Sequence, residues 1–402
     1  MTTLTPTKDV LPPPTERSTV LGWMKKNLFG SIGDSILTIL GGAFLVWMIY
    51  TLIVWITTKA EWAVVTDNLQ LFMKGQYPAD ADWRLWFLLF LLAVIVGLMW
   101  GIAIKRPTGA GWTLLIVPIV LAAWLFTLER SSWWRLLVID VLAIIGYLLG
   151  KRYPSKLSRI TYLLALLYMP IVILIVRGFG EDGFLFYVPT NLWGGLLLSL
   201  LLAIFAIVFS FPIGVLLALG RQSKLPAVKG LSVLYIELIR GVPLITLLFM
   251  GQLMLPLFLP AGITIDRVLR AIVAMIMFAA AYMAENVRGG LQSIPKGQYE
   301  AADAIGLSGW QKMVFIILPQ ALRAVIPVLV GQFIGLFKDT TLVALLGLLD
   351  LLGIARGVLA NPNYIGRQLE VFTFIGLIYW VFSYGMSYGS QRLEAVLGVG
   401  ER

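Results

Sequence analysis

EAADAIGLSGWQKMVFIILP, residues 300–319, is the stretch on which the reading of this 402-residue chain turns. It divides at Gly306. The alanine-rich residues before it favour helix, and glycine adopts the left-handed conformation that ends one. Ser308 followed by Gln311 is a capping-box start for a second helix. Pro319 then opens the next apolar run at a position where proline is tolerated. Residues 289–320 therefore predict two short helices hinged at a glycine, a compact and sparsely charged hairpin that needs a partner surface.

Outward from the hairpin, the chain is too apolar for a soluble domain. Hydrophobic residues make up 59% and charged residues 13%, with mean hydropathy +0.89, against roughly 45–50% and 25% in soluble proteins. The apolar residues fall in runs long enough to cross a hydrocarbon core of about 30 Å as helix. Ten spans are expected, at about 37–57, 85–104, 111–128, 133–149, 160–176, 193–219, 230–251, 269–287, 322–346 and 370–389. Without strand-like alternation these runs exclude a barrel, so the fold class is an all-α integral membrane protein.

Nineteen of the 31 Lys and Arg residues fall in loops on the hairpin's side and ten on the other, with Arg240 and Lys338 inside spans. The positive-inside rule then puts the hairpin and both termini in the cytoplasm. Lys8, Asp9, Glu16 and Arg17 precede a first run long enough to span, so no cleavable signal is expected. Pro12, Pro13 and Pro14 predict a disordered tail as far as Trp23-Met24-Lys25-Lys26. Trp83, Trp86, Trp133 and Trp134 lie near span ends and are expected as interfacial anchors.

The absence of Cys and His removes thiolate nucleophiles, imidazole bases, disulfides and the usual zinc sites. No G-x4-G-K-[ST] loop occurs, so ATP is not cradled here in that way. No metal site and no catalytic residue is expected. The net charge of +10 follows from membrane orientation and calls for no nucleic-acid partner.

The hairpin resembles the E-A-A-x3-G-x9-I-x-L-P motif of ABC importer permeases, with Glu300, Ala301, Ala302, Gly306, Ile316, Leu318 and Pro319 at every defining position. Trp193-Gly194-Gly195, Tyr235 to Leu244 (YIELIRGVPL), Ala281 to Gly290 (AYMAENVRGG), Ile294 to Ala302 (IPKGQYEAA), Leu318 to Leu322 (LPQAL) and Lys338 to Leu342 (KDTTL) look like polar amino-acid permeases. Thr341 stands where many relatives carry Ser. The phrase Arg240 to Thr246 (RGVPLIT), with five additional N-terminal spans, most resembles permeases of general L-amino-acid importers. Tyr77-Pro78 and Trp83-Arg84 fit that subfamily's long outer loop.

The resemblance implies a type I importer core over 193–395, behind a cytoplasmic tail (1–36), a five-helix extension (37–177) and a periplasmic loop (178–192). It implies a bacterial inner-membrane complex in which this chain forms half of the pathway. Its partners would be a second, often non-identical permease, two ATP-binding subunits and a periplasmic binding protein delivering an amino acid. ATP and Mg would sit on the ATPases. The seven motif residues would form the coupling helix that docks on an ATPase.

Charges at mid-bilayer cost about 2.5–3.5 kcal/mol each and need a reason. Glu237 and Arg240 share a helix face, and Gly241 and Pro243 should break that helix at once. These residues, with Thr246, Lys338, Asp339, Thr340 and Thr341, are the expected pathway. There Glu237 and Asp339 would attract an ammonium, and Arg240 and Lys338 a carboxylate. The competing account makes them interhelical salt bridges. Glu285 and Arg288 are expected to be structural or to contact the ATPase, and Asp140 to be paired inside the N-terminal bundle.

A secondary transporter or channel working without ATP is the alternative, since intramembrane charges and broken helices suit one. The two five-span halves show no convincing repeat, which weakens it. An intramembrane enzyme ranks last, because the carboxylates are scattered. Which amino acids cross is left open.

Overall fold

The computed structural model describes residues 19–103, 133–181 and 183–397. The tail up to residue 18 and the expected third span, 111–128, lie outside the described residues. Those described are helical, with only isolated β-bridges and no strand. The chain forms two compact units, Met1–Glu61 and Trp62–Arg402.

In the first unit, α1 (Val20–Asn27) precedes α2 (Ile32–Val54), which one π turn, Trp55–Lys59, prolongs. Ser31 caps α2 by accepting the Asp34 amide, 3.1 Å away. The Thr38 hydroxyl donates to Leu28 O at 2.7 Å and ties α2 to the end of α1. None of α2 is buried. With the π turn it runs 28 residues and reaches about 42 Å at 1.5 Å per residue, more than a bilayer core.

The second unit opens with short helices at Ala63–Thr66 and Leu69–Lys74. There follow α3 (Asp82–Ala103), α4 (Trp133–Arg152), α5 (Pro154–Arg177), α6 (Gly195–Arg221), α7 (Pro226–Arg240) and α8 (Leu244–Phe249). The chain ends with α9 (Arg267–Ser293), α10 (Lys296–Ala304), α11 (Leu318–Asp339), α12 (Leu351–Leu359) and α13 (Gln368–Leu397). Among the described residues of both units seven helices are long and apolar enough to span, or eight counting one bent pair. The 20-residue α4 lies at the expected fourth span.

In a bilayer, apolar burial does not by itself drive helices together; close packing of small residues does. Helix α9 shows this. It lies against α6 and α11, and Ala271, Ala274, Ala279, Ala280, Ala281 and Ala284 are buried along it. The pair α3 and α4 uses glycine instead. A Cβ at Gly97 or Gly101 would collide with the α4 backbone, and one at Gly146 or Gly150 with the α3 backbone. Two G-x-x-x-G faces therefore meet, the small-residue geometry of close membrane helices.

The seventh span breaks where Gly241 and Pro243 predict, since Pro226–Arg240 and Leu244–Phe258 meet at 101°. Other expectations are corrected. The boundary expected near residue 178 is no break in packing, because Val64 and Phe72 share a core with Leu196, Leu351 and Ile354. Trp86 is not an interfacial anchor but is packed inside with Ala93, Ile139 and Ala143. Arg84, counted as a loop charge, is fully buried over the Phe186 ring. Asp140 has no partner for its buried Oδ1.

Candidate coupling and translocation site

The hairpin between α9 and α11 is built as its sequence requires. Helix α10 ends at Ala304, and Gly306 takes φ +78° with open space around it. Ser308 and Gln311 form the capping box, with Ser308 N donating to Gln311 Oε1 at 2.9 Å. Residues Lys312–Ile317 form a π segment, and Pro319 sits in the first turn of α11. Lys312 Nζ reaches Asp303 at 2.6 Å and clamps the two arms.

Of the motif residues, Ala302 is buried while Glu300, Ala301, Gly306 and Pro319 are exposed, with Ile316 and Leu318 between. Beside them stand Ile305, Trp310 and Phe315, each more than three-fifths exposed. An apolar patch around a polar rim is the anatomy of a docking surface.

Above the hairpin, one carboxylate gathers three guanidinium groups. Glu285 Oε1 lies 2.8 Å from Arg221 Nη1, while Oε2 lies 2.7 Å from Arg288 and 3.6 Å from Arg240. Arg221 Nη1 also holds Glu237 at 2.8 Å. Glu285 is 13% exposed, so these charge-assisted contacts are only partly screened. Arg221 ends α6, Glu237 and Arg240 belong to α7, and Glu285 and Arg288 to α9, so the cluster welds three helices. Three positive groups against two negative leave one excess positive charge. Arg240 also lies 5.5 Å over the Tyr282 ring, a cation–π contact.

Glu237 and Arg240 thus pair with other helices rather than each other, the salt-bridge arrangement. Arg221 was read as a loop charge, and no local spacing reveals its two partners. The break after α7 falls at Gly241-Val242-Pro243, as expected. Beyond it Thr246 is exposed on α8. At the far end of α11, Lys338 is exposed and Asp339 half-buried, without an ion pair or side-chain hydrogen bond among the described residues. Thr341 donates to Lys338 O at 2.8 Å. Thr340 is fully buried and donates to Phe337 O at 2.7 Å. Also unforeseen is a polar link inside the bundle: Asn286 of α9 donates to Gln332 of α11 at 2.6 Å, and Gln332 to Ala279 O at 2.9 Å.

Residues 210–394 match the family described as binding-protein-dependent transport system inner membrane component. The chain is 37% identical over 400 residues to the inner membrane amino-acid ABC transporter permease protein YhdY of Escherichia coli (strain K12), covering 95% of this chain and 94% of that protein. It is 38% identical over 422 residues to the glutamate/glutamine/aspartate/asparagine transport system permease protein BztC of Rhodobacter capsulatus, covering 96% and 95%. A solved amino acid ABC transporter with histidines shares 30% identity at a TM-score of 0.46, covering 50% of this chain and 91% of that one.

Proposed function

The chain belongs to the permease subunits of amino-acid ABC transporters, and on that premise we propose how its parts divide the work of import. It is a membrane-spanning transport subunit of an ATP-driven amino-acid importer. In our reading the ATPase site, with its ATP and Mg, lies on two partner subunits, and a second permease completes the pathway. A periplasmic binding protein loads it, and both termini face the cytoplasm of the bacterial inner membrane.

The observation that carries this reading is the glycine-hinged hairpin with its bare apolar crest. Ile305, Trp310 and Phe315 would fill the ATPase groove, while Ala302 and Leu318 fix the hairpin to the bundle. Because only Ile294 and Pro295 separate α9 from α10, a push on the hairpin reaches Glu285 and, through Arg221 and Arg240, the bend after α7. We assign Glu237 and Arg240 to this brace. The translocation surface is assigned to Thr246, Lys338, Asp339 and Thr341, whose charges and hydroxyls suit a zwitterion. Thr340 supports Lys338 and Asp339 from inside.

Co-purification with the ATPase encoded beside this chain tests the reading. The wild type should bring down the ATPase, and Trp310→Glu should release it while leaving the permease folded. A chain that purifies without an ATPase and moves amino acids unaided would instead support a secondary transporter.

A further inference from the structure

The end of the bundle opposite the hairpin carries a cavity of about 540 Å³, lined among others by Thr190, Asn191, Trp193, Asp266, Arg267 and Arg270. Its charges are unbalanced. Asp266 is spent on its own surroundings: Oδ1 accepts from Val268 N and Leu269 N at 2.9 and 3.0 Å, and Oδ2 accepts from the Thr190 hydroxyl. Arg267 Nη2 donates to Leu346 O at 2.7 Å and Arg270 Nη1 to Gln252 O at 2.6 Å. Neither guanidinium meets a carboxylate among the described residues. Backbone carbonyls fix each arginine in place, yet most of its five donors are unused. Arg270 Nε and the indole N–H of Trp193 are buried with no partner. Fixed, underused donors beside an occupied acid favour an acceptor-rich anion, and a planar carboxylate fits guanidinium best.

We propose that this cavity is a carboxylate-binding site for the incoming amino acid on the face away from the hairpin, entered before the translocation surface. The proposal rests on the amino-acid importer reading. The volume leaves ample room for one free amino acid with its water. Thr190 and Asn191, from the loop before α6, add polar groups to the lining. A carboxylate could also come from the surface of a docked protein, and the test separates the two.

The assembled permease–ATPase complex, in nanodiscs without binding protein, is titrated with radiolabelled L-glutamate as a probe bearing two carboxylates. Putrescine, which has none, serves as competitor control. Saturable binding is expected that putrescine does not displace and that falls at least tenfold in Arg267→Gln. Thr264→Glu, which places an anion at an exposed cavity wall position, should have the same effect without touching either arginine, so misfolding of the first variant leaves the test standing. Equal binding by wild type and Thr264→Glu overturns the proposal. So does a complex that binds no probe alone and loses only its association with loaded binding protein. ATPase co-purification, followed in parallel, reports on the importer reading separately.

Discussion

The two ends of the second unit hold their arginines in different ways, although Lys74 pairs with Asp82 and Arg367 with Glu370 away from the hairpin. At the hairpin end, Arg221, Arg240 and Arg288 converge on Glu285, with Glu237 held by Arg221, and Lys312 holds Asp303. At the other end, Arg84 is buried with Nε and Nη1 unpartnered, and Arg267 and Arg270 rest on backbone carbonyls. Paired charges join helices and carry force between them. Unpaired ones hold positive potential ready for something that arrives. On our proposal the hairpin end serves coupling and the opposite end capture.

The sharpest way to break this contrast is Glu285→Gln, which strips three guanidinium groups of their shared carboxylate. Leaving partly buried charges uncompensated costs about 3 kcal/mol. A fall in melting temperature of several degrees and loss of assembled complex are expected, read by scanning fluorimetry and size-exclusion chromatography. Arg240→Ala should show the same defect in milder form. Normal assembly with abolished uptake would return Arg240 to the pathway.

Asp350 gives the next largest effect. Burial raises its carboxyl to about 6, against the backbone amides of Gly353 and Leu352 and the Arg356 charge, which pull it down. The folded state therefore holds a proton that the unfolded state releases near pH 4. Stability contributed by this group is full below about pH 4 and is lost as pH rises through 6, by about 2–3 kcal/mol. Asp350→Asn, which keeps a cap on α12, should flatten that slope in melting curves from pH 4 to 7.5. An unchanged slope would locate it elsewhere.

Smaller effects sharpen the coupling side. Gly306→Ala forces a side chain into a left-handed conformation at about 1–2 kcal/mol, although the space around it is free. Stability should fall by no more than that strain, while ATP-driven uptake drops several-fold through misdirection of Trp310. Uptake at the wild-type rate would show that the hinge angle is immaterial. Asp303→Asn removes an ion pair whose acid is 57% exposed, worth under about 1 kcal/mol. Only a slight loss of ATPase affinity is expected in a binding titration, shrinking further as salt rises.

What the sequence made legible was local. The break at Gly241 and Pro243, the left-handed Gly306 and the Ser308–Gln311 box follow from the conformational limits of single residues, and all three stand in the structure. Partnership was not legible. Nothing near Arg221 foretells Glu237 or Glu285, which lie 16 and 64 residues away. The burial of Trp86 and Arg84 depends on helices that arrive later in the chain. The nine-residue α12 lies between two expected spans and was not foreseen. The α3–α4 contact did have a signal, the spacing of Gly97 with Gly101 and Gly146 with Gly150, and pairing the two motifs would have found it.

The most direct test is amino-acid uptake by proteoliposomes holding this chain with its partner permease, ATPases and loaded binding protein, with ATP supplied on the ATPase side. Uptake that requires ATP and disappears in Trp310→Glu, with the same protein reconstituted, is what a hairpin-driven permease predicts. Uptake that proceeds without ATP, or survives loss of the ATPase, would contradict it.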